Sequence, residues 1–224
     1  MIKKGEFQKY ANKHLGISSL TLDKYGKVMN NYISPMIIEE RQMNVTQLDI
    51  FSRLVMDRIL FLGVPIEEDV SNIINAQLLF LESVDPSKEI TMLISSPGGS
   101  VFDGLSIVDT MEYIKSEVHT TCTGLAASMA AVILACGEKG YRKALKHSRI
   151  LIHQPMGNTW GQATEMEIAV NEINKLKKEL YDILSEKTGQ KYSKIQKDAD
   201  RDFWMTSSEA QEYGMIDEVL LKRT

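Results

Sequence analysis

The sequence predicts an α/β fold built on a largely parallel sheet, and three observations predict it. Short apolar runs at residues 58–63, 89–96, 118–122 and 149–153 read as strands, the third opened by β-branched residues. Between them lie stretches with apolar residues at helical spacing, at 46–57, 67–84 and 101–115. Glycine-bearing turns, Pro97-Gly98-Gly99-Ser100 and Gly124, stand where strand gives way to helix. Strands that alternate with helices form β-α-β units, and such sheets bind ligands at the carboxyl ends of their strands.

Composition narrows the function classes. The chain has 224 residues, 43% of them hydrophobic, enough for one sizeable core, and no Pro/Gly/Ser-rich linker divides it. Its net charge is -4, with basic residues dispersed among acids, so nothing points to nucleic acid. No stretch approaches the roughly 20 apolar residues of a membrane span. Cys122 and Cys136 both lie in apolar runs and lack metal-ligand spacing with any histidine. Inert core thiols in a reducing, cytoplasmic setting are expected, and no metal site.

In chain order, residues 1–31 are polar and lysine-bearing, without arginine and without the apolar core of a secretory signal. They read as a flexible leader or a removable pro-segment, with His14 solvated. Residues 32–44 form an apolar patch followed by charge. The helix at 46–57 carries Ile50, Phe51, Leu54 and Val55; that at 67–84 carries Val70, Ile74, Leu78 and Leu81; that at 101–115 carries Leu105, Val108 and Met111. After Gly124, residues 126–135 are small and aliphatic and predict a buried helix, with Ser128 in its first turn. Residues 157–162 read as extended. The longest helix spans 165–187, with Ile173, Leu176, Leu180 and Leu184 on one side and Gly189 as its stop. Its pattern fits equally well packing on its own sheet or projecting towards another subunit. Residues 192–202 read as a solvated charge run holding Asp198, Asp200 and Asp202. Thr206 to Glu209 resembles a capped helix start, Gly214 ends that last helix, and 215–221 closes the chain as a strand.

The chemistry-bearing residues converge. Ser128 at a helix start lies beside N–H groups with no intrahelical partner, which can hold an oxyanion. His153 ends a strand, where a general base is useful, and the Gly98-Gly99 turn admits close approach of a ligand. Taken singly, the serine also fits a cap, the histidine a partly buried polar residue and the turn a tight connection. All three fall at carboxyl ends of predicted strands, which points to acyl transfer. The spacing alone does not choose among the three aspartates for a third member.

The chain resembles the ClpP family, the proteolytic subunits of the ATP-dependent Clp (caseinolytic) proteases. The resemblance runs from about Pro35 to Leu221. It is carried by Phe51-Ser52-Arg53-Leu54, Ser96-Pro97-Gly98-Gly99, Gly124-x-Ala126-Ala127-Ser128-Met129-Ala130, His153-Gln154-Pro155, Gly161-Gln162-Ala163 and Asp200-Arg201-Asp202-x-x-Met205. It implies an α/β, crotonase-like head domain with a projecting handle helix. It implies Ser128 as nucleophile, His153 as general base and then acid, and Asp202 as the acid behind it. Oxyanion donors would be the N–H groups of Gly99 and Met129, with that of Gly98 as a further one. Gly157, Asn158, Thr159, Trp160 and Gly161 would pair with a substrate strand through main-chain hydrogen bonds. Two stacked heptameric rings would enclose a chamber, fed with unfolded polypeptides by an AAA+ unfoldase of the ClpX or ClpA/ClpC kind. ATP would be used by that partner; this subunit would need no cofactor, and the sequence carries no phosphate-binding Gly-Lys-Ser/Thr loop. The expected organisation is a leader at 1–31, an axial segment at 32–47 and a peptidase domain at 48–224, its handle at about 157–189.

Some positions depart from the family pattern. The leader is long, and alignment puts a mature start near Tyr32, so self-cleavage there is expected. Asn158 and Trp160 replace residues that are often smaller or more polar, which bears on cleavage preference. The axial segment has no glycine across 41–45. Three other readings compete. A crotonase-type hydratase or acyl-CoA enzyme would use the same N–H groups without requiring Ser128, His153 and Asp202 together. A non-catalytic barrel subunit would not retain all three, and a serine–lysine peptidase would not need His153 with Asp202.

Overall fold

The computed structural model describes residues 36–41 and 44–222. The leader expected at 1–31, and the start expected near Tyr32, lie outside the described residues. The chain divides into two compact units between Arg53 and Leu54. In the first, β1 (Met36–Arg41) pairs antiparallel with β2 (Asn44–Asp49), from Met36 opposite Asp49 to Arg41 opposite Asn44. Helix α1 (Ile50–Met56) begins directly afterwards. The helix expected from residue 46 is thus four residues shorter at its start. Strand pairing holds the chain extended as far as Asp49, whose Oδ1 then accepts from the N–H groups of Phe51 and Ser52 at 3.0 Å each and opens the helix.

The second unit is the α/β body. Its elements in order are β3 (Ile59–Leu62), α2 (Glu68–Val84), β4 (Ile90–Ser96), α3 (Val101–Tyr113), β5 (Val118–Ala127) and α4 (Met129–Ala135). There follow β6 (Lys143–Leu145), β7 (Arg149–Ile152), α5 (Ala163–Thr188), α6 (Tyr192–Asp198), β8 (Phe203–Thr206), α7 (Ser207–Tyr213) and β9 (Glu218–Leu220). Strands β3, β4 and β5 are parallel neighbours. Strand β5 then serves two partners: Thr121 and Cys122 pair with β6, while Leu125, Ala126 and Ala127 pair with β7. Strand β9 lies parallel to β6, and β8 antiparallel to β7.

This change of partner overturns two expectations. Strand β5 runs to Ala127 rather than stopping near Cys122, and Gly124 lies within it. The register between β4 and β5 shifts there, from Ile94 opposite Cys122 to Ser96 opposite Ala126. Small residues that fit a helix are held extended because β4 and β7 both pair with them. Ser128 is therefore not in the first turn of α4 but immediately before it, at φ 56° and ψ -124°.

Helix α4 is the centre of the core, with all seven of its residues buried against the sheet and neighbouring helices. Burying each large aliphatic side chain contributes about 1.5–3 kcal/mol. Helices α2 and α3 present Ile74, Leu78, Leu81, Ile107, Val108 and Met111 to the same core. The run at 192–202 is not merely solvated, since α6 inserts Ile195, and Ala199 follows it into the core. Helix α5 meets the first of its two expectations, packing on its own body, in its C-terminal half. Leu180, Tyr181 and Leu184 are buried, whereas residues 163–168 are exposed and Ile168 remains 66% exposed.

A half-buried ion pair ties the far end of this unit together. Arg142 grips Asp217 through Nε to Oδ2 (2.9 Å) and a second guanidinium nitrogen to Oδ1 (2.6 Å). It also donates to the carbonyls of Ala135 and Lys187, at the last turns of α4 and α5. Burial pushes the Asp217 carboxyl up, but the hydrogen bonds and charge of Arg142 outweigh it and hold the group below its ordinary value. Arg142→Met removes the guanidinium charge and two hydrogen bonds from that carboxylate, leaving it the N–H groups of Gly140 and residue 142, and is expected to cost about 1.5–3 kcal/mol at pH 7. A carboxyl with a lowered folded pKa stabilises above the unfolded value near about 4 and loses that contribution as pH falls through the folded value. The gap between wild type and variant should therefore narrow in acid, which denaturation midpoints at pH 7 and below pH 4 will measure.

Candidate active site

Three places build the site: the turns at the carboxyl ends of β4 and β5, and the point where the carboxyl end of β7 meets the amino end of antiparallel β8. The first follows β4. Ser96 is fully buried; its hydroxyl donates to Val64 O (2.7 Å) and accepts from the N–H of Gly98 (3.1 Å). Gly98 takes φ +86° and lies against the turn that carries Ser128. A Cβ there would stand 2.5 Å from Ala127 O, 2.8 Å from Ser128 Cβ and 2.9 Å from Met129 N. Gly99 runs beside Ile66, with Ile66 N–H donating to Gly98 O and Ser100 N–H to Ile66 O, each at 2.9 Å.

The second turn joins β5 to α4. Its sharpness puts Ser128 at a positive φ, a strained conformation for a residue with a side chain. The Ser128 N–H is tied to Leu151 O at 2.9 Å, and its carbonyl accepts from Ala131 N–H at 3.0 Å. That frees the hydroxyl, which caps nothing in the helix. The N–H of Met129 opens α4, and among the described residues neither it nor the N–H of Gly99 is engaged by another group.

The third turn pair comes from β7 and β8. Their ladder ends with Ile152 opposite Phe203, so the next residues out, His153 and Asp202, face each other. His153 Nδ1 lies 3.0 Å from Asp202 Oδ1, and Nε2 lies 2.9 Å from Ser128 Oγ. The imidazole is 15% exposed and the carboxylate 61%. The other two aspartates are engaged elsewhere. Asp198 accepts from Tyr213 Oη (2.9 Å) and Lys194 Nζ (2.6 Å), and the Asp200 carboxylate stands 4.0 Å from Arg201.

Gly157, Asn158, Thr159, Trp160 and Gly161 lie between β7 and α5, all exposed and in no regular ladder; Trp160 is 93% exposed. A small apolar pocket opens beside Ser128, walled by Val101, Met129, Val132, Ile152 and Pro155. Among the described residues no cluster of His, Cys, Asp or Glu could hold a metal ion, and no helix is long and apolar enough to cross a membrane. The parts that sequence reasoning left without a role are Ile66, Ser96 as a clamp on the glycine turn, and Gln154. The serine directly before Pro-Gly-Gly at a strand end was the available signal for the second.

A hydroxyl, an imidazole and a carboxylate in series, beside two unengaged N–H groups on an α/β frame, define a serine hydrolase arrangement. The Clp protease family model matches residues 41–223. The chain is 58% identical to the ATP-dependent Clp protease proteolytic subunit of Bacteroides fragilis, over 97% of this chain and 99% of that protein. It is 57% identical to the subunit of the same name from Bacteroides thetaiotaomicron, with the same coverage. It is 56% identical to that of Porphyromonas gingivalis, over 97% and 98% of the two chains. The chain belongs to the Clp protease family, and it is a serine peptidase of that family.

Proposed function

We propose that Ser128, His153 and Asp202 act as the catalytic triad of an endopeptidase subunit that cleaves unfolded polypeptides. The observation that carries this reading is the single line of contacts from Ser128 Oγ through His153 to Asp202. His153 Nε2 takes the hydroxyl proton as Ser128 Oγ bonds to the scissile carbonyl carbon, and Asp202 stabilises the imidazolium that results. The negative charge moves to the carbonyl oxygen, where the N–H groups of Gly99 and Met129 receive it. The N–H of Gly98, expected as a further donor, is committed to Ser96, so its part is to hold the turn. His153 then protonates the departing amine, and water resolves the acyl-enzyme by the same steps in reverse order.

Residues 157–161 are exposed and free of sheet pairing, which suits main-chain pairing with a substrate strand. The apolar pocket beside Ser128 suits an apolar side chain next to the bond cut. The exposed half of α5, with Met166, Ile168 and Val170 exposed near Trp160, supports association of subunits, the handle of the family architecture. The expected particle is two stacked heptameric rings served by an AAA+ unfoldase of the ClpX or ClpA/ClpC kind. The curated relatives are named as ATP-dependent, and ATP would be spent by that partner. Two buried, unpaired cysteines suit a reducing cytoplasm.

Fluorophosphonate labelling tests the reading directly. Assembled wild-type protein should carry one label per subunit, mapped to Ser128, and Ser128→Ala should carry none. Absence of label on wild type of confirmed particle mass sinks the peptidase reading.

A further inference from the structure

The acid of the candidate triad stands on an unpaired turn. Asp202 lies between α6 and β8, and its carboxylate is 61% exposed, so packing does not fix its direction. What fixes it is the backbone of residues 199–202, and the side chains of Gln154 and Tyr181, outside the triad, hold that backbone. Gln154 follows His153; its main-chain N–H donates to Ala199 O (2.6 Å) and its Nε2 to Asp200 O (2.8 Å). The same residue thus links the strand end that carries the base to the turn that carries the acid.

Gln154 is itself held from α5. Its Oε1 accepts from Lys177 Nζ at 2.8 Å, a charge-assisted hydrogen bond. This contact sets the sense of the amide. Turned over, the amide would aim its NH2 at an ammonium and its oxygen at a carbonyl oxygen, and both contacts repel. Lys177 is half-buried, and its Nζ stands 5.7 Å from the ring centre of Tyr181, one helical turn further along. Tyr181 reaches the same turn, its hydroxyl donating to Ala199 O at 3.4 Å. Helix α5 therefore touches the acid's turn twice, directly through Tyr181 and through Gln154 from Lys177.

We infer that Lys177 is a positioning residue for this active site: its ammonium orients Gln154, and Gln154 pins the 199–202 turn so that Asp202 faces His153. The inference rests on the peptidase reading above, in which Asp202 works only through His153 Nδ1. A turn released by even about 1 Å misaligns the imidazole, and such misplacement costs on the order of a hundredfold in rate. The substrate contacts proposed above, on residues 157–161 and in the pocket beside Ser128, include neither Lys177 nor Gln154, so the loss should fall on kcat rather than KM.

The test uses the assembled protein, with particle mass recorded for every variant. Lys177→Met keeps the apolar stem and removes the donor; it should lower kcat for a fluorogenic peptide about tenfold or more, leave KM within about twofold, and slow fluorophosphonate acylation in parallel. Lys177→Arg restores a cationic donor and should recover most of the rate. Gln154→Ala should lose as much as Lys177→Met, and the double variant should be no worse than Gln154→Ala, because Lys177 then has nothing to orient. A Lys177→Met kcat within twofold of wild type on an intact particle overturns the inference, as do losses that multiply in the double variant. Should Lys177→Met not assemble, Gln154→Glu decides. It keeps the acceptor for Lys177 but sets a carboxylate oxygen against Asp200 O, so a reduced kcat supports the inference and an unchanged one overturns it. An unlabelled wild type would instead overturn the peptidase reading itself.

Discussion

Ser128→Ala should lower kcat by on the order of 10⁴-fold or more, with KM and particle mass little changed. Removing Oγ takes away the atom that bonds to the substrate carbonyl and leaves the rest of the site in place. Alanine occupies the same φ 56° backbone at similar cost, so stability should stay within about 1 kcal/mol of wild type. His153→Ala should lose as much, since without Nε2 at 2.9 Å the hydroxyl keeps its proton. The double variant should be no slower than either single one, because the two residues act in one step. Residual turnover would come from the Gly99 and Met129 N–H groups and from binding. A Ser128→Ala particle that keeps a tenth of wild-type kcat on a fluorogenic peptide would disprove the assignment.

Gly98→Ala should remove about 10²–10³-fold of kcat while all three triad side chains stay chemically intact, although its Cβ would also press on Ser128 Cβ at 2.8 Å. The alanine Cβ would meet Ala127 O at 2.5 Å and Met129 N at 2.9 Å, both main-chain atoms that cannot swing aside. It can be admitted only if the glycine turn moves away from the serine turn. The two proposed oxyanion donors stand on those separate turns, Gly99 on one and Met129 on the other, so the movement would spread them beyond reach of a single oxygen. Gly140→Ala is the control. Gly140 has φ +94° but open space where the Cβ would go, so it imposes a comparable backbone strain with no displacement. Its kcat should match wild type within about twofold. Equal losses in the two variants would show that strain rather than donor spacing is being measured.

Much of this site was legible because its chemistry sits at strand ends that apolar periodicity marks. Ser128, His153 and the Gly98-Gly99 turn each follow a run that is a strand in the folded chain. The choice of aspartate was not legible from spacing. Asp198, Asp200 and Asp202 alternate within one polar stretch, and only the family resemblance singled out the third. The fold separates them by what each faces: Asp198 is engaged by Tyr213 and Lys194, while Asp202 stands one step beyond the β7–β8 ladder, across from His153. The helix start was misplaced for a related reason. Ala126 and Ala127 suit a helix by propensity, but pairing with two neighbouring strands outweighs a preference worth a few tenths of a kcal/mol per residue. The same pairing puts Ser128 at a sharp bend instead of inside a helical turn, and so exposes its hydroxyl.

The alternation of β3, α2, β4, α3 and β5, the Gly98-Gly99 turn, the long helix with its glycine stop, and a serine and a histidine at strand ends were determined by the sequence alone. Each depends on neighbours within a few positions, through side-chain periodicity and backbone stereochemistry. Which strands lie side by side, which carboxylate meets the imidazole, which glycine N–H is already engaged and how α5 reaches the acid's turn were decided only by tertiary structure. These depend on contacts between residues tens of positions apart, such as His153 with Asp202 and Gln154 with Lys177. Local pattern carries no record of such contacts, because they form only when the core closes.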